Sequence, residues 1–212
     1  MGVIHRSEMA GYDYWGYGDL DVIYGDIRRF YTPDVLTHDV ISSHTHVLAG
    51  HFALLRNSPR IVSAYRQIPR WRARLSSARH ESFDEQIFSR LFLPIRGKGA
   101  WRRLITPNLG GGYFREQFST QFGWQTWIDG SKNYPRQWFW KCGHLTTDRS
   151  GEREFLYLHF SNWQSSRWTD DETAPWDRLA QLDNVPDENP TGFVISARGF
   201  TPLPEPALVR PE

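Results

Sequence analysis

Tyr14-Trp15-Gly16-Tyr17-Gly18-Asp19-Leu20-Asp21-Val22-Ile23-Tyr24-Gly25-Asp26 is the stretch on which the reading of this chain turns. The aromatic run from Tyr12 to Tyr17 favours a strand that stops at Gly18. It delivers Asp19, Leu20 and Asp21 to the strand end or to the turn that follows. Two carboxylates so placed can hold a hard divalent cation, Mn²⁺ or Mg²⁺, while leaving coordination positions open for phosphate oxygens. A D-x-D triplet arises by chance about once in a chain with this many aspartates, so the aromatic strand running into the acids carries the weight. The competing reading is a pair of solvated turn acids.

Outward from this stretch, strands are expected over 39–43 and 47–55. Ser58 followed by Pro59 reads as a helix N-cap and first-turn proline. The helix should run to about residue 76 with a basic face of Arg60, Arg66, Arg70, Arg72 and Arg74, and Pro69 should split it in two. A second helix is expected over 83–93, opened by Asp84 and Glu85 and closed by Pro94. Residues 101–130 read as loop-rich with short strands. Residues 137–146 and 154–160 read as a hairpin turning through 147–151, with His159 near its end. A short helix over 174–182, a strand over 192–197 and a proline-rich tail over 202–212 complete the pattern, leaving 1–201 as one domain.

Composition bounds the function. The chain has 212 residues, 39% of them hydrophobic, enough to bury a core. Twenty-five Lys and Arg against 24 Asp and Glu leave a net charge of +1, without the broad basic footprint of a nucleic-acid-binding protein. Cys142 is the single cysteine, which excludes an internal disulfide framework and fits a reducing compartment. No apolar run approaches the roughly 18 residues that span a bilayer, and Arg6 and Glu8 interrupt any signal-like start, so the expected location is the cytoplasm. Ten Trp, nine Tyr and 13 Phe suit either core packing or stacking on sugar rings.

The segment from Tyr14 to Arg28 resembles the metal-site segment of bacterial GT-A-type glycosyltransferases of polysaccharide assembly. Three later blocks continue the resemblance in the same order. Ala49-Gly50-His51-Phe52-Ala53-Leu54-Leu55-Arg56-Asn57 is similar to the strand that lines the donor sugar in the retaining enzymes. Phe83-Asp84-Glu85-Gln86 is similar to the acidic segment beside the reacting sugar. Tyr157-Leu158-His159-Phe160 is similar to the late strand whose histidine completes the metal site. Together the blocks cover about residues 12–160.

The resemblance implies an α/β fold, a mixed β-sheet with flanking helices, which is a partial, N-terminally truncated version of the Rossmann-like nucleotide-diphospho-sugar transferase. It implies a hexosyl transfer from a nucleotide-sugar donor to a glycan acceptor. Asp19, Asp21 and His159 would hold Mn²⁺ or Mg²⁺, and Asp84 or Glu85 would orient sugar hydroxyls or stabilise charge on the anomeric carbon. Gly50, His51 and Asn57 would line the donor. Arg167 would stand in for the basic residue that usually follows the late histidine and grips the diphosphate. The family places a long nucleoside-binding β/α segment before the D-x-D, whereas only eighteen residues precede Asp19 here. A fragment or mis-started frame, a partner chain supplying that half, and a lost nucleotide site are the three readings of that difference.

Two other classes compete. One is a non-catalytic carbohydrate-binding or assembly module on the same scaffold. The other is a zinc hydrolase built from His38, His44, His46 and His51, disfavoured because no glutamate base accompanies them in a zinc motif. The arginine-rich segment could also meet an acidic partner or a membrane surface, although such runs are most often solvated helix faces.

Overall fold

The computed structural model describes residues 2–78, 82–93, 108–120, 125–160, 191–196 and 199–203, with the side chain of Asp84 outside that set. In chain order the strands are β1 (Tyr14–Gly18), β2 (Val22–Tyr24), β3 (Val40–Ser42), β4 (Phe52–Arg56), β5 (Gly112–Phe114), β6 (Gln137–Lys141), β7 (His144–Thr147), β8 (Tyr157–His159), β9 (Gly192–Ser196) and β10 (Gly199–Pro202). The α-helices are short: α1 (Ile27–Phe30), α2 (Pro59–Val62) and α3 (Trp71–Leu75). The fold is thus mixed α/β, with strands predominating among the described residues.

The chain forms two compact units, one of residues 1–20 and 28–117, the other of residues 21–27 and 118–212. In the first unit the sheet order is β1-β4-β3-β5, with antiparallel pairs except for β3 and β5, which run parallel. Val40, Ala53 and Leu55 from this sheet pack with Leu48, Ile61, Ala64, Ile68, Leu91 and Phe92 in a buried apolar cluster. The helical segment over it begins as the sequence predicts: Ser58 is the N-cap, its side chain accepting from Ile61 N, and Pro59 occupies the first turn. It is divided more finely than expected. A 3₁₀ turn, Ala64–Gln67, follows α2, and α3 starts only after Pro69 and a left-handed Arg70, φ 57°. The expected helix over 83–93 begins as a π-helical turn, Phe83–Phe88. Of the strand expected over 47–55 only the second half is extended, as β4, because Leu48 and Ala49 hang from the hydroxyls of Ser89 and Ser42.

Asp39 ties this unit together. It accepts from Arg56 Nε at 3.0 Å and Arg60 Nη1 at 2.6 Å, while its own amide donates to Gly111 O. Arg56 also lies 5.0 Å from the ring centre of Tyr14, whose hydroxyl faces the Leu36 and His38 carbonyls. Burial pushes the Tyr14 phenol above its ordinary pKa, against the opposing pull of Arg56.

The second unit holds an antiparallel sheet of order β10-β9-β6-β7 and the two-stranded pair β2-β8. Here the structure corrects the expected hairpin. Strand β6 turns back into β7 through Cys142 and Gly143, at φ 47° and 86°, a two-residue turn with both φ positive. The polar stretch 147–151 follows the second strand instead, and β8 pairs with β2. Strand β9 lies where expected, β10 forms from residues ahead of and including Pro202, and the helix expected over 174–182 lies outside the described residues. The core is aromatic: Trp127 stacks on Phe155 at 5.5 Å, and Trp138, fully buried, meets Phe155 edge-on at 4.9 Å.

Trp138 fills the centre of this unit, so Trp138→Ala should remove about 3–5 kcal/mol of stability. Guanidinium unfolding followed by far-ultraviolet circular dichroism measures it, and a loss below about 1 kcal/mol would contradict this packing.

Candidate metal centre

Strand β1 ends at Gly18, opposite Phe52 in β4, and the amide of Asp19 donates to His51 O at 3.0 Å. The chain then turns through Leu20, fully exposed, and re-enters a ladder at Val22. Asp19 and Asp21 are both exposed and flank this turn, where the chain leaves the first unit and enters the second. Two residues of backbone therefore keep Asp19 near Asp21.

The partner across the ladder is His159. Val22 pairs with His159, Ile23 with Leu158 and Tyr24 with Tyr157. The amide of Phe160 donates to Asp21 O at 3.0 Å, and the amide of His159 donates to Ser119 O at 2.9 Å. Gly25 makes the approach possible: a Cβ there would lie 2.4 Å from Phe155 O, while its amide donates to Leu156 O. The imidazole is only 4% exposed, with Nε2 3.6 Å from Asp21 Oδ1. One ligand atom each from Asp19, Asp21 and His159 lie within 4.8 Å of one another.

This donor set fits a divalent cation. Metal–oxygen and metal–nitrogen bonds of about 2.0–2.2 Å put adjacent donor atoms on the order of 3 Å apart, a modest contraction from the spacing here. Two carboxylates and one imidazole suit Mn²⁺; Mg²⁺ takes the softer imidazole nitrogen less readily. Nδ1 of His159 lies 3.3 Å from Thr120 Oγ1. With its proton on Nδ1 donating to that hydroxyl, the ring keeps the Nε2 lone pair for a metal. Thr120, which also forms a parallel bridge with His159, went unnoticed in the sequence, where no motif marks it.

The other sequence-selected residues divide. Gly50 is packed tightly, since a Cβ there would lie 2.4 Å from Glu85 Oε1. Gly50, His51 and Glu85 therefore stand together in the first unit, joined to Asp19 by the hydrogen bond from its amide to His51 O. The His51 ring is buried and meets His44 edge-on at 5.1 Å. Asn57 is committed elsewhere: its Nδ2 donates to Met9 O and Tyr12 O, at 2.7 and 2.8 Å, which makes it a clamp on the N-terminal segment. The side chain of Asp84 and all of Arg167 lie outside the described residues. Of the histidines considered for zinc only His44 and His51 are shown in contact, and among the described residues they join no third ligand in a metal-sized group. His44 Nδ1 faces Glu116 at 3.3 Å, His38 Nδ1 faces Val35 O, and among the described residues the one group of three or more such ligands is that of Asp19, Asp21 and His159.

Fold and site together define a mixed α/β protein with a carboxylate–imidazole cluster at a strand end. Residues 1–185 match the model of the family described as Family of unknown function (DUF6625), and the chain belongs to that family. No curated protein and no solved structure matches it.

If the cluster binds metal, Asp21→Asn and His159→Ala should each weaken Mn²⁺ binding well over tenfold by isothermal titration calorimetry. Thr120→Ala, which removes the hydroxyl facing the ring's Nδ1, should weaken it about 10–100-fold. Unchanged affinity in the first two variants would place the ion elsewhere.

Proposed function

We propose that this chain is a metal-dependent glycosyltransferase that moves a sugar from a nucleotide-sugar donor to a glycan acceptor. The observation that carries the reading is the grouping of Asp19, Asp21 and His159, contributed by a strand-end turn and a late strand far apart in sequence. Support comes also from Gly50, His51 and Glu85, which lie together one backbone hydrogen bond from Asp19.

In this reading Asp19, Asp21 and His159 Nε2 hold Mn²⁺, or Mg²⁺ in its place. When bound, the ion supplies positive charge that stabilises the departing nucleoside diphosphate. The chain's residues do the rest. Thr120 fixes the imidazole's orientation and tautomer. The exposure of both aspartates leaves coordination positions accessible to phosphate oxygens. Glu85, half-buried against Gly50, offers a carboxylate to sugar hydroxyls or to the positive charge that grows on the anomeric carbon. Gly50 has no room for a side chain, so a substitution there must displace Glu85.

The test is release of nucleoside diphosphate from a panel of nucleotide sugars with Mn²⁺, with and without glycan acceptors. Wild-type chain should turn over at least one donor, and Asp21→Ala should lower the rate on the order of 100-fold or more. Saturable glycan binding without turnover of any donor, the same in wild type and Asp21→Ala, would replace this reading with that of a carbohydrate-binding module.

A further inference from the structure

The arginine-rich segment plays no part in the metal cluster, and it lies beside an apolar cleft. Residues 57–78 contain five arginines, at 60, 66, 70, 72 and 74, and no Asp or Glu. The chain's net charge of +1 hides this local excess. Arg60 is engaged with Asp39, Arg66 Nε donates to Tyr65 Oη and Arg74 Nε to Pro69 O, and Arg66, Arg70, Arg72 and Arg74 follow one another along the segment that ends in α3.

That helix has two unlike faces. Trp71 and Leu75, one turn apart, line a cleft of about 420 Å³ in the first unit with Trp15, Leu55, Tyr65 and Phe88. This volume falls within the range of small-molecule clefts, about 300–1,000 Å³. The cleft is overwhelmingly apolar, and its edge carries apolar side chains in water: Leu75 is 57% exposed, Ile4 77% and Val3 45%. Scattered exposed apolar residues mean little, but here they border one open apolar cleft. Ala73 and Arg74 of the helix line a separate hollow of about 250 Å³ with Arg70 before it and Ser77 after it. Arg72 lies over the Trp71 ring at 4.5 Å, setting cation and indole together at the boundary.

An apolar cleft and a basic hollow that are both lined by the segment 70–77 match a molecule with an apolar chain and an anionic head. We infer that this face docks an anionic lipid, with a hydrocarbon chain in the cleft and a phosphate headgroup on Arg70 and Arg74. A soluble anion would leave the apolar edge unexplained, and a neutral apolar partner would leave the arginines unexplained. Trp71 and Arg72 suit a headgroup boundary, where an indole and a long cationic side chain each have one apolar and one wet end. No helix among the described residues is long and apolar enough to cross a membrane, so the contact would be peripheral. The inference stands apart from the sugar-transfer reading.

Flotation with vesicles of phosphatidylcholine alone, or with phosphatidylglycerol added, tests it. Binding should require the anionic lipid and fall as salt rises. Arg70→Glu combined with Arg74→Glu should lower partitioning roughly tenfold or more, since each basic side chain near an anionic surface adds measurably to binding. Leu75→Ser should lower it several-fold, and brominated acyl chains should quench tryptophan fluorescence in the wild type only when anionic lipid is present. Circular dichroism of each variant should match wild type: Arg70 and Leu75 are exposed, and for Arg74, half-buried with Nε donating to Pro69 O, this control separates lost lipid contact from lost fold.

Equal binding to both vesicle types, or none to either, would overturn the inference. So would binding that ignores Leu75→Ser and shows no quenching, because that is adsorption of arginine to phosphate alone. A lipid-free dimer in sedimentation velocity that Leu75→Ser dissolves would assign the cleft to a second copy and equally overturn it.

Discussion

The pairing of β2 with β8 is the constraint on which the candidate site depends. Three residues on each side fix the register, and that register sets His159 opposite Val22, the residue immediately after Asp21. Side chains alternate across a strand, so a slip of one residue would turn the imidazole to the other side of the ladder. The hydrogen bonds that prevent the slip come from outside the short ladder: Phe160 N to Asp21 O at one end, and Gly25 N to Leu156 O at the other. Ser119 and Thr120 then seat the histidine from its far side, one through the backbone and one through the ring. The histidine is thereby buried and oriented while the two carboxylates it faces remain in water.

The two units solve the packing problem differently. The first uses aliphatic residues from β3 and β4 against helical turns, with Asp39 and its two arginines closing the polar end. The second, with less helix among its described residues, relies on large rings: Trp127, Tyr134, Trp138 and Phe155 belong to its buried cluster. Aromatic residues also pack against the first unit's core, among them Trp15, Tyr65 and Phe88, so much of the unusual aromatic content goes into core construction. Trp140 adds a directional tie, its indole donating to Tyr24 O at 2.9 Å, so that a β2 carbonyl is held by a side chain of the larger sheet.

What the sequence disclosed was local. Strand β1 with its acids, the Ser58-Pro59 start, the break near Pro69 and strand β9 all rest on short-range chemistry that a reader of residues can weigh. The pairing of β8 was not legible. Thr147 to Gly151 has the composition of a hairpin turn, whereas Cys142-Gly143 has only one residue that ordinarily favours positive φ. Strand β2, three residues long, gives no period to detect. His159, singled out through resemblance, does stand within 4.8 Å of ligand atoms of Asp19 and Asp21, although the strand partner expected for it was the wrong one. Asn57 shows the opposite failure: a polar residue at a strand end looks like a ligand contact until its amide is seen holding Met9 and Tyr12. The GT-A class and the transfer reaction rest on resemblance and on the cluster's chemistry.

The second unit is not a contiguous piece of chain, because it borrows residues 21–27 from within the span of the first. During synthesis β2 emerges early and must wait, its ladder groups unsatisfied, until the ribosome has delivered β8. The Asp19, Asp21 and His159 cluster consequently cannot be completed before residue 159 has emerged. No single excision would yield either unit whole; making the histidine-bearing part separately would require residues 21–27 to be spliced through a linker onto residues 118–212.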